Sequence, residues 1–414
     1  MAIIKPFRGL RPIPAYAPQV ASRPYDVLNS EEARIEAANN PYSFLRVCKP
    51  EIDLPETVDH YSQEVYDQGK ATLHKMIQEG ILVQDSTPCM YVYRQIMNGH
   101  SQTGLVANSS IDDYFNDIIK KHEYTRPEKE NDRIQHMATL ECHPEPVFLT
   151  YPDVPQLDAI LNDAVQANPV YDFTADDGIQ HTFWVIHDNS TIAIIEEIFR
   201  EKVAFTYIAD GHHRSASSAK VGKKLRDQNP NYTGEEEYNY FLSVLFPANQ
   251  LMIMDYNRLV KDLNGLPPME LFRQIGEHFD IQHTGIEPFK PSKIHEFGMY
   301  FDGHWYRLTA HDDTYHENDP IEVLDVTILS NFLLDPLLGI KDQRTDKRID
   351  FVGGIRGLKE LSKRVDSGEM KIAFALYPVS IQQLINIADS GNVMPPKSTW
   401  FEPKLRSGLV VHLF

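Results

Sequence analysis

The sequence predicts a mixed α/β fold, α+β-like in the order of its elements, in a chain long enough for about two or three ordinary domains. Three observations carry this. Segments of two-residue alternation interleave with segments of helical periodicity, without the regular spacing of repeated βαβ units. Apolar residues make up 42% and charged residues 24% of the 414 residues, a composition that supports a sizeable buried core. No internal repeat and no low-complexity tract interrupts the pattern.

Taken in order, residues 1–30 carry Pro6, Pro12, Pro14, Pro18 and Pro24, which predicts an extended arm rather than a helix. Asn29, followed three residues later by Glu32, is a capping-box pattern, and the helix it opens stops at Asn39-Asn40-Pro41. A second helix is expected from Val58 to Glu79, closed by Gly80. Met90 to Gln95 and Gly104 to Ala107 alternate across the loop Asn98-Gly99-His100-Ser101, as a hairpin does. A polar loop from Lys121 to Lys129 leads into a helix from about Glu130 to Leu140. A helix over 155–167, a strand over 181–187 and a short helix over 190–198 follow. Lys202 to Ala209 reads as a buried strand that turns at Asp210-Gly211 into a helix running to about Arg226. Strands are expected at 238–246 and 251–256. The texture changes at Leu263-Asn264-Gly265-Leu266-Pro267-Pro268, so the domains are placed at 1–262 and 263–414. The second region reads as helix 269–279, strand pair 297–309, helix 323–334, strand 371–377, helix 380–389 and a last strand ending near Leu413.

The net charge of -19 repels a phosphate backbone, so DNA or RNA binding and a polybasic membrane contact are not expected. Cys48, Cys89 and Cys142 form no C-x-x-C pair and no disulfide framework, which suits a reducing compartment. The first residues carry no long apolar stretch of the signal-peptide kind, and no run of ~18 apolar residues occurs. A cytoplasmic protein with a small-molecule substrate is expected.

The densest chemistry lies in Asp210-Gly211-His212-His213-Arg214-Ser215. A strand ending in Asp-Gly and feeding a helix presents the first helical N–H groups to an anion. Gly211 permits a sharp turn and close ligand approach, and Arg214 offers a fork for phosphate or carboxylate. His212 and His213 add ring nitrogens that work near neutral pH. Asp210 is placed to bind Mg²⁺ or to take a proton from a substrate hydroxyl. The blander reading is a capped helix with two surface histidines; adjacent histidines diverge on a helix, so a zinc site ranks lower. Three further segments are candidates. Lys121-His122-Glu123-Tyr124-Thr125 with Lys129 and Arg133 is either a solvated loop or a cover for nucleotide phosphate. Tyr25-Asp26, fixed by Pro24, is a structural turn or part of a site. Lys397-Ser398-Thr399 sits in a proline-stiffened loop flanked by Lys404 and lacks a P-loop frame. G-x-G-x-x-G after a strand, G-x-S-x-G, and the paired kinase motifs H-R-D and D-F-G are not found.

Ordered matches run nearly end to end. They include Pro6-Phe7-Arg8-Gly9-Leu10-Arg11, Pro24-Tyr25-Asp26-Val27, Tyr91-Val92-Tyr93-Arg94-Gln95, His122-Glu123 with Thr125, Pro146-Val147-Phe148, Ala209 to Arg214, Pro395-Pro396-Lys397-Ser398-Thr399 and Pro403-Lys404. On these the chain resembles the family known as domain of unknown function 1015. It departs from that pattern at Arg23 and at Tyr256-Asn257-Arg258. Asp210 to Arg214 is also similar to the signature of free serine kinases built on the ParB/sulfiredoxin fold. That resemblance implies a ParB/sulfiredoxin-like core with large N-terminal elaborations and a C-terminal α+β region. It implies a phosphotransferase moving phosphate from ATP or ADP, with Mg²⁺, to a serine-like hydroxyl. Gly211, His212, Arg214 and Ser215 would cradle phosphate, with Lys129, Arg133, Lys397, Ser398 and Thr399 as further phosphate contacts. Asp210, His212, His213, Asp26 and Glu123 would be catalytic, with Asp210 also the metal ligand, and Tyr25, His122 and Thr125 would meet the substrate. A non-catalytic nucleotide- or phosphometabolite-binding protein and a metal-dependent hydrolase stay open as alternatives.

Overall fold

The computed structural model describes residues 1–414 and divides the chain into two compact units, Met1–Leu251 with Pro403–Phe414, and Met252–Glu402. The division falls after Leu251 rather than at 262/263, because the Gly-Pro-rich stretch is a turn inside the second unit. It links strand Tyr256–Val260 to helix Pro268–Ile275. The C-terminal segment returns to the first unit, which sequence texture does not reveal.

The first unit is built on a nine-stranded mixed sheet. Its strands lie in the order Ile119–Lys120, Thr206–Asp210, Val147–Tyr151, Tyr240–Pro247, His100–Ser110, Met90–Met97, Gln180–Ile186 and Tyr171–Thr174, with Ile4–Lys5 also paired to His100–Ser110. Two pairings are parallel, Thr206–Asp210 with Ile119–Lys120 and Val147–Tyr151 with Tyr240–Pro247. The hairpin Met90–Met97/His100–Ser110 forms as expected, turned by Asn98 and Gly99, both at positive φ. One face of the sheet packs Val92, Leu105, Leu149, Phe241 and Leu245 with Phe199 and Leu157 of helices Asn189–Lys202 and Pro155–Ala164. A separate core gathers Leu73 and Met76 of helix Gln63–Gln78, Leu140, Leu10 and Val411.

Several boundaries differ for identifiable reasons. The N-terminal arm is not uniformly extended: short strands Ile4–Lys5 and Leu10–Pro12 pair with neighbours, and Ala17–Val20 makes a helical turn with Pro18 in its first turn, where proline is tolerated. The Asn29 capping box closes as read, Asn29 accepting from Glu32 N–H at 2.9 Å. The helix expected from Glu130 begins at Pro127, for the same reason of proline at its first position. Asp188 caps helix Asn189–Lys202, accepting from Thr191 N–H at 2.8 Å, and Arg200 and Lys202 suit its C-terminal end. The helix therefore runs through Lys202, and the buried strand starts only at Thr206. Of the last strand expected up to Leu413, only His412–Leu413 forms, paired with Cys142–His143.

The second unit carries a six-stranded sheet, Phe279–Gly285, His304–Ala310, Glu296–Phe301, Ile372–Leu376, Tyr256–Val260 and Ile349–Gly353, antiparallel throughout. Its core packs Leu259, Tyr300, Trp305, Leu361 and Ala373. The helix expected over 269–279 ends at Ile275, and Phe279 instead opens the edge strand. No helix is long and apolar enough to cross a membrane, and the three cysteines are free and buried.

Candidate active site

Strand Thr206–Asp210 carries a β-bulge in its last step: Ile208 faces Leu149, and Asp210 faces Phe148, the next residue of the partner strand. A bulge bends the strand end and re-aims the side chain that follows. Gly211 then takes φ +93, and helix His212–Gln228 begins. A side chain at Gly211 would be strained by that φ and would sit 3.1 Å from Arg214 Nε. Glycine thus lets the guanidinium fold back over the turn.

Arg214 is 4% exposed. Its Nη1 donates to the Pro146 carbonyl at 2.6 Å and its Nη2 to Asp210 Oδ2 at 2.9 Å, with Asp26 Oδ2 at 3.6 Å. Its Nε–H is buried without a partner. Burial works against the guanidinium charge, but Asp26, Asp210 and Glu145 hold it protonated. Asp210 is gripped on both oxygens, by Arg214 on Oδ2 and by Lys404 Nζ at 3.3 Å on Oδ1. Burial would raise its pKa; Lys404 and then Arg214 outweigh that and hold it at about 2. A carboxylate this acidic is a poor proton acceptor and a good partner for a cation.

The two histidines hold the loop before helix Pro127–Leu140. His122 N–H donates to His212 Nε2 at 3.4 Å, and Arg126 N–H donates to His213 Nε2 at 3.0 Å. Each ring accepts through Nε2 and therefore carries its proton on Nδ1. His212 Nδ1 lies 3.9 Å from Glu123 Oε2. Burial, with His122 beside it, pushes the His212 pKa well below the usual value, and burial lowers that of His213. His122 is 1% exposed, packs edge-on against His212 with ring centres 4.5 Å apart, and has no partner on either nitrogen. Burial brings its pKa to about 4.

The turn thus brings together Asp210, Gly211, His212, His213, Arg214, His122, Glu123 and Asp26. Ser215 lies beneath them, donating its hydroxyl to the Gly211 carbonyl at 3.0 Å. The adjacent hydroxyls of Ser217 and Ser218 go instead to the facing helix, onto Glu130 O and Met137 Sδ. Thr125 Oγ1 donates to Glu130 Oε2 at 2.9 Å. Tyr25 is held through its N–H on Glu145 Oε1 at 3.0 Å, its ring 4.3 Å under Arg133. Arg133 is buried, and its donors go to Asp132 and the Cys48 carbonyl, so the groups a phosphate clamp would use are committed elsewhere. Lys129 is exposed, its ammonium 3.3 Å from Tyr61 Oη. Lys397, Ser398 and Thr399 belong to the second unit. There Arg258 Nη2 donates to the Lys397 carbonyl at 2.9 Å, and Ser398 Oγ donates to Pro395 O at 2.6 Å.

Two residues at the site were not assigned from sequence. Glu145 is 6% exposed and accepts Tyr25 N–H and Ser407 Oγ–H on one oxygen. Its placement between Pro144 and Pro146 is the signal that could have marked it. Lys404 was singled out in sequence only as flanking the Lys397-Ser398-Thr399 loop and in the Pro403-Lys404 match, without a link to Asp210. No group of three or more His, Cys, Asp or Glu is arranged to hold a metal ion by itself.

A family model described as protein of unknown function (DUF1015) matches residues 4–327. No curated protein matches the chain. Solved structures similar to it are distant. A free serine kinase in complex with AMP has a TM-score of 0.35 and 13% identity, over 74% of this chain and 91% of that one. A conserved hypothetical protein from Pyrococcus furiosus has a TM-score of 0.34 and 15% identity, over 75% and 95%. SbnI with a C-terminal truncation, from Staphylococcus aureus, has a TM-score of 0.37 and 12% identity, over 74% and 87%.

Proposed function

This chain belongs to the DUF1015 family, and we propose that it is a nucleotide-dependent phosphotransferase acting on the hydroxyl of a small metabolite of the hydroxy amino acid class. The observation that carries this is the Gly211 turn. It opens helix His212–Gln228 beside a buried guanidinium whose Nε–H has no partner, with Lys404 alongside. First-turn amides that no side chain caps, the positive end of the helix dipole and two cations together suit a phosphate group.

ATP or ADP is the donor in this reading. Asp210 is ionised, and with its oxygens already held by Arg214 and Lys404 it would meet a divalent ion only as Lys404 turns to the phosphate. Because no group of three or more His, Cys, Asp or Glu is arranged to hold a metal, in this reading Mg²⁺ would arrive with the nucleotide and neutralise phosphate charge. The acceptor oxygen attacks the terminal phosphorus, the bond to the bridging oxygen breaks, and the shortened nucleotide leaves. Glu123, half exposed beside His212, takes the acceptor's proton. Asp210 is the weaker candidate for that step because its pKa of about 2 disfavours proton uptake. His212 and His213 position the loop that carries Glu123, and Asp26 helps hold Arg214. Such a reaction needs placement and charge neutralisation more than covalent chemistry.

The test is phosphoryl transfer from labelled ATP and ADP to serine and related hydroxy acids. Asp210→Asn and Arg214→Ala should each remove turnover while circular dichroism stays native. Retained turnover in both variants would end the assignment. Saturable nucleotide binding without turnover would leave the non-catalytic reading, and stoichiometric transition metal in the purified protein would favour a hydrolase.

A further inference from the structure

We propose that Lys404 is a phosphate-binding residue of the Asp210 site, delivered by the C-terminal segment and holding Asp210 while the terminal phosphate of a nucleoside diphosphate is absent. This rests on the reading above. The chain leaves the first unit after Leu251 and re-enters it at Pro403, so Lys404 is the second residue of the returning strap. Its backbone is pinned by two fully buried glutamines on central strands. Gln95 Nε2 donates to the Lys404 carbonyl at 2.8 Å. Gln102 Nε2 donates to Gln95 Oε1 at 3.0 Å and reaches the Pro403 carbonyl at 3.5 Å. Gln95 and Gln102 face each other in the hairpin register, each 0% exposed. Burying two amides on central strands costs free energy that apolar side chains would not, and what the pair buttresses is the main chain at this lysine.

The strap is anchored further along as well. Arg406 Nε donates to His181 Nε2 at 3.2 Å, Ser407 Oγ to Glu145 Oε1 at 2.9 Å, and Ser407 N–H to the Ser22 carbonyl at 2.8 Å. From this support the Lys404 side chain extends to Asp210 Oδ1 at 3.3 Å, 17% exposed. The two cations at the turn then differ in kind. Arg214 is locked by a carbonyl and two carboxylates and is rigid. Lys404 presents a compact ammonium on a flexible stem, able to exchange a carboxylate oxygen for a phosphate oxygen without moving its backbone.

The experiment measures equilibrium binding of ADP and of adenosine by calorimetry, with Mg²⁺ and with EDTA, to the full-length chain and to Lys404→Met and Lys404→Arg. We expect Lys404→Met to weaken ADP binding by about tenfold or more, as for loss of a charged hydrogen bond. Adenosine binding should be unchanged and Lys404→Arg intermediate. A native circular dichroism spectrum qualifies each variant; should Lys404→Met not fold, Lys404→Arg, which keeps the charge, still separates ADP from adenosine. If the wild-type chain binds ADP and the folded variants bind it equally well, or lose adenosine in equal measure, this assignment is overturned alone. If the wild-type chain does not bind ADP, the nucleotide reading falls and takes this one with it.

Discussion

Acidification should destabilise the first unit steeply well above the pKa of ordinary carboxylates. His122, His136 and His181 are each 1% exposed, and burial lowers them from 6.5 to about 4, about 3 and about 3. The structure says why each resists a proton. His122 has no partner on either nitrogen, His136 has Arg133 nearby, and His181 accepts from Arg406. These bases have folded pKa values below their unfolded ones, so below about 6.5 the unfolded chain binds protons that the folded chain refuses. Their stability contribution is present above that pH and lost as pH falls towards the folded values. By pH 5 each has lost about 2 kcal/mol, roughly 6 kcal/mol together. Asp113 acts in the opposite sense. Burial raises it to about 6, so it favours the fold as pH falls and returns about 1 kcal/mol. The net loss of roughly 5 kcal/mol lowers Tm by roughly 10–20 °C for a unit of this size. Differential scanning calorimetry from pH 8 to pH 5, with hydrogen exchange assigning the first-unit transition, reads this directly. His136→Leu should flatten the slope by about one histidine's share. A Tm that is flat or rising over that range would refute the neutral burial of these rings.

Other perturbations are simpler. Gly211→Ala meets a left-handed φ costing about 1–2 kcal/mol and places a methyl 3.1 Å from Arg214 Nε. A melt should show a fall of a few degrees and calorimetry a disproportionate loss of ADP affinity; an unchanged affinity would mean the turn does not meet the ligand. Arg133→Met leaves the buried Asp132 charge with only the Tyr66 hydroxyl and should cost about 3 kcal/mol in urea unfolding, while activity per folded molecule is kept. Gly222→Ala, normally worth up to ~1 kcal/mol in a helix, should destabilise instead. Its methyl would fall 2.1 Å from the Tyr238 carbonyl oxygen.

How much of this was legible follows from how local each signal is. The Asn29 capping box, the Asn98-Gly99 hairpin and the strand-Asp-Gly-helix turn are written within a few consecutive residues, and each forms. The turn could be located because glycine at φ +93 and a helix N-terminus are sequence-local. What depends on distant partners could not be read. Arg133 reads as a surface cation ahead of Ile134, yet Tyr25, Asp132 and the Cys48 carbonyl enclose it. The partners of Ser217 and Ser218 could not be read either, because their spacing does not disclose that helix Pro127–Leu140 packs against them. Lys404 lies 194 residues from Asp210, and a whole second unit intervenes.

The same contrast bears on the histidine pair. Adjacent histidines invite a reading as two catalytic groups, but their Nε2 atoms are already acceptors for His122 N–H and Arg126 N–H. Protonating either ring would place N–H against N–H, so the first turn of helix His212–Gln228 favours neutral rings through geometry as well as burial. The rings fix the loop from His122 to Arg126, and with it Glu123, against the turn that Asp210 and Arg214 build. In the proposed reaction, proton transfer would then fall to the exposed carboxylate, and charge neutralisation to the guanidinium and the ammonium.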